Sequence, residues 1–256
     1  MRLLSKGGLR GLERDHSVSA GTFSSSARVL LISDLHANPF ALAALPEADA
    51  VLCMGDLVDY GPDPGPVLAW CRSHAAVVVH GNHDRALAFG EDDGVSAAMR
   101  EASSATRVVH RAMLDEADLA YLRGLPRVAQ IRLGETTFAL THGVADDPRR
   151  YAQLEEAGNS VRAAVPDARV IAVGHTHVQG VFVLDGTEVV NPGSLGMSSQ
   201  GGRAHFALWE GGRLSLHSEP YDVAAVLAGI QDMPISAPAR SRLLDAFENG
   251  RRTSEH

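Results

Sequence analysis

The chain has 256 residues, 45% of them apolar and 21% charged, which suits a folded domain with a real core and excludes a disordered or fibrous protein. Its formal net charge of -8 and pI near 5.8 give little support to a non-specific grip on nucleic acid, which needs a basic face. No apolar run approaches the roughly 18 residues of a spanning helix, so no membrane partner is expected.

The first 27 residues carry Arg2, Lys6, Arg10 and Arg14 but no continuous apolar stretch of a secretory signal, and residues 16–27 are rich in Ser, Gly and Thr. They read as a flexible N-terminal extension ahead of a single domain over 28–256, in a cytoplasmic protein. Cys53 and Cys71 lie in apolar surroundings and read as reduced, packed residues.

Regular structure is predicted from residue 28. Residues 28–33 (RVLLIS) form a short apolar run that stops at Asp34, as a buried strand would. A short helix led by Pro39 follows over 39–46. Strands are predicted at 50–54 and 76–80, with a helix at 66–74 between them, which implies an α/β layer with a mainly parallel sheet. Residues 94–123 are Ala-rich and helix-favouring, with Asp115 as an N-cap for the later part. Residues 94–125 read as a helical cap over the site. Strands return at 127–133, 136–141, 169–173, 178–184, 187–191, 203–209 and 213–217. Gly134-Glu135, Asp185-Gly186 and Gly211-Gly212 make the hairpin turns. Helices are expected at 149–164, 222–230 and 238–248.

The chemistry gathers where predicted strands end. The first gives Ser33-Asp34-Leu35-His36, the second Gly55-Asp56 and the third Gly81-Asn82-His83-Asp84. Two later ones give Thr141-His142-Gly143 and Gly174-His175-Thr176-His177. In an open α/β sheet the C-terminal strand ends are where ligands bind. Asp34 and His36, like His175 and His177, are two apart, so on extended chain both side chains of a pair leave from one face and can chelate an ion. Each cluster alone has a bland reading: a chance D-x-H, a turn at Gly55-Asp56, a satisfied core histidine at His142. Their succession at five strand ends is what carries weight.

In that order the clusters resemble the calcineurin-like metallophosphoesterase superfamily, whose signature runs D-x-H, G-D, G-N-H-D, H and G-H-x-H. The resemblance covers about residues 28–218. GDLVDYGPDP and VVNPGSLG are similar to its small bacterial and archaeal branch, with Ala37 and Asp59 standing where relatives often carry glycine.

The resemblance implies a four-layer α-β-β-α sandwich and a small-molecule phosphoester substrate. It makes Asp34, His36 and His177 ligands of one divalent transition-metal ion, Asn82, His142 and His175 ligands of a second, and Asp56 the bridge. Imidazole with carboxylate suits Mn, Fe, Zn or Ni better than Mg or Ca, and manganese is the first choice. Two such ions would acidify a shared water and clamp phosphate oxygens. His83 would then protonate the leaving oxygen, with Asp84 orienting its ring.

Arg85, Arg107 and Arg149 are candidates to recognise phosphate or carboxylate. His74, His80, His110, His205 and His217 read as structural. A phosphodiesterase acting on small or nucleotide-type substrates is the leading expectation. The alternatives are a phosphomonoesterase or protein phosphatase, a dinucleoside polyphosphate hydrolase, and a non-catalytic scaffold of the same fold.

Overall fold

A computed structural model describes residues 27–250, so the expected extension lies outside the described residues apart from Ala27. β1 (Arg28–Ile32), β2 (Ala50–Cys53) and β3 (Ala75–Val78) pair in parallel. β9 (Arg203–Glu210) runs antiparallel beside β1 and carries β10 (Arg213–Pro220) at the sheet edge. A second sheet has the order β4 (Val128–Leu133), β5 (Thr136–Thr141), β6 (Val170–Ala172), β8 (Thr187–Asn191), β7 (Gly180–Leu184). Its three central strands are parallel and both edges are antiparallel. The mainly parallel sheet expected from alternation is therefore two mixed sheets. The difference arises because hairpins extend each parallel core, and a hairpin can pair only antiparallel.

The central strands β1, β2 and β6 bury both faces, which is why they read as continuous apolar runs. Val29 and Leu31 of β1 point between the sheets, toward Ile131, Phe138, Leu140 and Val170. Leu30 and Ile32 point the other way, onto helices α1 (Pro64–His74), α2 (Asn82–Phe89) and α4 (Glu116–Gly124). The outer face of the second sheet is covered by α5 (Leu154–Arg162) through Ala157 and Val161. Layering is thus α-β-β-α. α3 (Ala97–Met113), α6 (Val223–Asp232) and α7 (Ala237–Asn249) pack together beside the first sheet.

Most local signals act as expected. Asp185 and Gly186 both take positive φ, 45° and 86°, as a tight hairpin turn requires. Asp115 caps α4 by accepting the Asp118 N–H at 2.8 Å. The Pro39 segment is a 3-10 helix, Pro39–Ala44, capped by Asn38. Cys53 and Cys71 are buried and unbridged. Among the described residues, no helix is long and apolar enough to cross a membrane. α5 starts later than the 149 expected, because residues before it turn over the site: the Arg149 carbonyl accepts from His175 Nε2 at 3.1 Å.

Candidate metal centre

Asp34, His36, Asp56, Asn82, His142, His175 and His177 follow the C-terminal ends of β1, β2, β3, β5 and β6, and the two sheets bring those ends to one edge. All are buried except His175, which is half-buried. The backbone there is not extended as expected. Asp34, His36, Asp56, His175 and His177 have φ of 55°, 44°, 54°, 70° and 58°. Non-glycine residues hold this region only when their surroundings fix it, and such strain clusters at functional sites. The paired side chains converge because the chain coils, not because alternate residues of a strand share a face.

Hydrogen bonds behind the residues fix that coil. Asp34 N–H donates to the Gly55 carbonyl and His36 N–H to the Asp56 carbonyl, each at 2.9 Å. Glycines admit the close approach. A Cβ on Gly81 would sit 1.9 Å from Asp56 Oδ1, and one on Gly55 only 2.4 Å from the Gly81 nitrogen. The loop after β8 adds a brace: Ser194 Oγ donates to the Asp34 carbonyl at 2.8 Å, and Gly196 N–H to the same oxygen at 3.0 Å. VVNPGSLG is thus a support for the first ligand loop.

Each imidazole is locked by one nitrogen. Nδ1 of His36, His142 and His177 donates to the carbonyls of Val58, Met54 and Met197 at 3.2, 2.7 and 2.8 Å. A carbonyl only accepts, so in the neutral rings Nε2 carries the lone pair. His175 is the reverse, donating from Nε2 and leaving Nδ1. The freed atoms face one another. His36 Nε2 and His177 Nε2 are 3.0 Å apart, and His142 Nε2 is 3.0 Å from Asn82 Oδ1 and 3.1 Å from Asp56 Oδ2. Asp34 Oδ1 is buried without a hydrogen bond among the described residues, 3.3 Å from His177 Nε2.

Carboxylate and imidazole acceptors crowded together in this way attract positive charge, a proton or a metal ion, so the residues fit divalent ions. Asp34, His36 and His177 form one group of ligand atoms within 4.8 Å, and Asp56, His142 and His175 another. Asp56 also groups with His36, so its carboxylate reaches both. Titration behaviour agrees. Burial opposes ionisation of Asp34 and Asp56, but His177 beside the first and His142 beside the second hold both carboxyls below the usual range. Burial likewise opposes a charge on His142, yet Asp56 pushes it up to about 9.

His83 and Asp84 part company. GNHD is the first turn of α2, not a loop. The Asp84 carboxylate accepts the N–H groups of Asp56, Leu57 and Gly81 at 2.9, 2.8 and 2.8 Å, and none of its hydrogen bonds goes to the His83 ring. The expected Asp84–His83 pairing is therefore corrected. The partner is Asp59, whose Oδ2 accepts from His83 Nδ1 at 2.9 Å. Burial opposes a charge on His83, but Asp56 and Asp59 raise its pKa above the ordinary value. The signal for Asp59 was the second carboxylate of GDLVD.

Of the arginines, Arg85 pairs with Glu91 and Arg149 with Asp147, while Arg107 turns inward to Asp59. His74 stacks on Trp70 and His217 on Phe206, both structural as expected, and His80, His110 and His205 are buried. A cavity of about 100 Å³ opens onto Asp56, Asn82, His83, His175 and His177, with Gly94–Ser96 at its rim. A second of about 290 Å³ adjoins it, sharing Tyr151 and His175 and walled by Leu154, Val173 and Val178.

The description of a calcineurin-like phosphoesterase superfamily domain matches residues 28–211. A solved metallophosphoesterase from Sphaerobacter thermophilus is 25% identical, with a TM-score of 0.67 over 87% of this chain and 99% of that one. A hypothetical protein from Pyrococcus horikoshii has the same fold, with a TM-score of 0.72 at 17% identity, over 88% of this chain and 99% of its own. No curated protein matches the chain.

Proposed function

Because the chain belongs to the calcineurin-like phosphoesterase superfamily and is a metal-dependent phosphoester hydrolase, we propose that it is a dinuclear phosphodiesterase acting on small or nucleotide-type substrates. The observation that carries the reading is the buried Asp34 Oδ1, without a hydrogen bond among the described residues and facing imidazole nitrogens. Asp34, His36 and His177 would hold one ion, Asn82, His142 and His175 the other, and Asp56 both. Their donor set suits manganese, iron, zinc or nickel, of which manganese is the ion proposed. When bound, such ions supply positive charge to phosphate oxygens and acidify water.

The chain's own residues supply the proton. His83 Nδ1–H is held on Asp59 Oδ2, so Nε2 is the atom that can give a proton to the oxygen leaving phosphorus. As the P–O bond breaks its electron pair stays on that oxygen, and the proton from Nε2 neutralises it, while a water that has given one proton to solvent bonds through its oxygen to phosphorus. Asp84 acts one step back, holding the Asp56 and Leu57 backbone that presents the Asp56 carboxylate.

Two features favour a diester. The pocket arginine, Arg149, is already paired with Asp147, and a monoester dianion is the substrate that most needs a free guanidinium. The adjoining cavity offers a largely apolar place for an ester substituent. Gly94–Ser96 and the helices after it would set which substituents enter.

Metal content by mass spectrometry, paired with hydrolysis of a nitrophenyl diester and monoester under added Mn²⁺, tests the reading. About two ions per chain and faster diester cleavage are expected. Monoester cleavage alone would make it a phosphatase. Absence of metal and turnover after reconstitution would leave a scaffold.

A further inference from the structure

α3 buries a polar stripe. Ser103, Thr106, Arg107 and His110 recur at i, i+3, i+4 and i+7, so they share one helix face, and all but Arg107 are fully buried. That face grips the loop after Asp56. Thr106 Oγ1 accepts the Tyr60 N–H at 3.0 Å, and His110 accepts the Asp59 N–H at 3.0 Å while donating to the Gly61 carbonyl at 2.9 Å. Asp59 and Tyr60 both have positive φ, 65° and 69°, so this grip fixes an otherwise unfavourable backbone.

Arg107 reaches further. Its Nε and Nη2 donate to Asp59 Oδ2 at 3.1 and 2.7 Å, the oxygen that also takes His83 Nδ1–H. The same Nη2 bonds the Asp93 carboxylate, which Ser103 Oγ also bonds. The Asp93 carbonyl in turn accepts from Asn82 Nδ2 at 2.8 Å, leaving Asn82 Oδ1 toward His142. One guanidinium therefore stands behind both the ring of His83 and the amide of Asn82. Asp59, His83 and Asp93 are close enough to suit a further ion, but Arg107 already supplies the cation there.

We propose that Arg107 is a positioning residue that aims His83 Nε2 at the leaving oxygen through Asp59. This rests on the hydrolase reading above. Lysine would not replace it fully, because a point charge lacks the planar fork that spans Nε and Nη2 contacts.

The test uses full-length, metal-loaded Arg107→Gln, Arg107→Lys and His83→Asn on diesters with leaving groups from nitrophenol to phenol. Nitrophenolate leaves with little protonation and phenolate needs it. Arg107→Gln should lose about 10²-fold in kcat on the phenyl ester, much less on the nitrophenyl ester, and retain its metal. Arg107→Lys should fall between. Adding Arg107→Gln to His83→Asn should cost little more, since both act on one proton transfer.

The second readout is the His83 Nδ1–H resonance of the zinc-loaded protein. It should appear far downfield in the parent and be lost or moved in Arg107→Gln. Equal losses on every ester with an unmoved resonance would overturn the proposal. If His83→Asn leaves the leaving-group dependence unchanged, the acid role itself falls, and the resonance alone decides whether Arg107 orients the ring.

Discussion

Asp84 follows His83 directly, and adjacency alone made it the natural partner for the ring. On a helix, consecutive residues point about 100° apart, so neighbours in the first turn of α2 cannot face each other. The carboxylate instead closes the turn onto three backbone N–H groups, and burial with Asp56 nearby pushes it up to about 7. Asp84→Asn brings two amide donors into a pocket of donors. It should cost about 3 kcal/mol of stability in denaturant unfolding and reduce metal uptake. Asp59→Asn should instead retain metal and lose turnover. Equal metal loss in both variants would contradict this division.

His205 is the second residue with a consequence. Neither of its ring nitrogens has a hydrogen-bond partner among the described residues. Burial, then Arg203, pushes it down from 6.5 to about 4. The unfolded ring takes a proton near 6.5 and the folded ring only near 4, so the unfolded state binds more protons between those values. Stability from the neutral ring is fully present above pH 6.5 and drains away as the pH falls toward 4. Melting curves of the parent and His205→Leu should differ most in acid, with the variant falling less steeply. Parallel pH profiles would show that this ring does not titrate in the fold.

At the scale of elements, legibility followed burial pattern and caps. The central strands were visible because both faces are buried, the edge strands because turn residues bound them, and α4 because Asp115 caps it. Asp115→Ala should cost about 1 kcal/mol, moving the denaturation midpoint without changing its slope or the turnover of the nitrophenyl diester. α2 was invisible as a helix, since Asn82, His83 and Asp84 favour turns and its helicity comes from packing Leu87 and Ala88 under α4. α3 was legible as helix but not in its role. Its stripe holds the Asp59 loop, a contact between segments far apart that no local pattern encodes.

For the whole molecule, the gathering of the candidate ligands could be read because parallel strands deliver their C-terminal ends to one edge. The pairing of two mixed sheets came from the family resemblance, not from residue patterns. What that pairing creates is a knot of acceptors drawn from both sheets. His36 Nε2 faces His177 Nε2 at 3.0 Å, and Asp34 Oδ1 has no donor among the described residues. The metal-free fold holds this arrangement at a cost that bound ions remove, and the unfolded chain cannot assemble the site. Linkage then makes metal a stabiliser of the whole domain. At a free-ion concentration of 100 Kd the gain is about 2.7 kcal/mol per site, which in a domain of this length raises Tm by roughly 5–10 °C. The rise should grow with manganese concentration and shrink as the pH falls below about 9, the value to which Asp56 pushes His142, because protons then compete for that imidazole. Calorimetry with and without chelator measures it. An unchanged Tm in chelator, with metal shown to have left, would mean that the acceptors are satisfied without an ion.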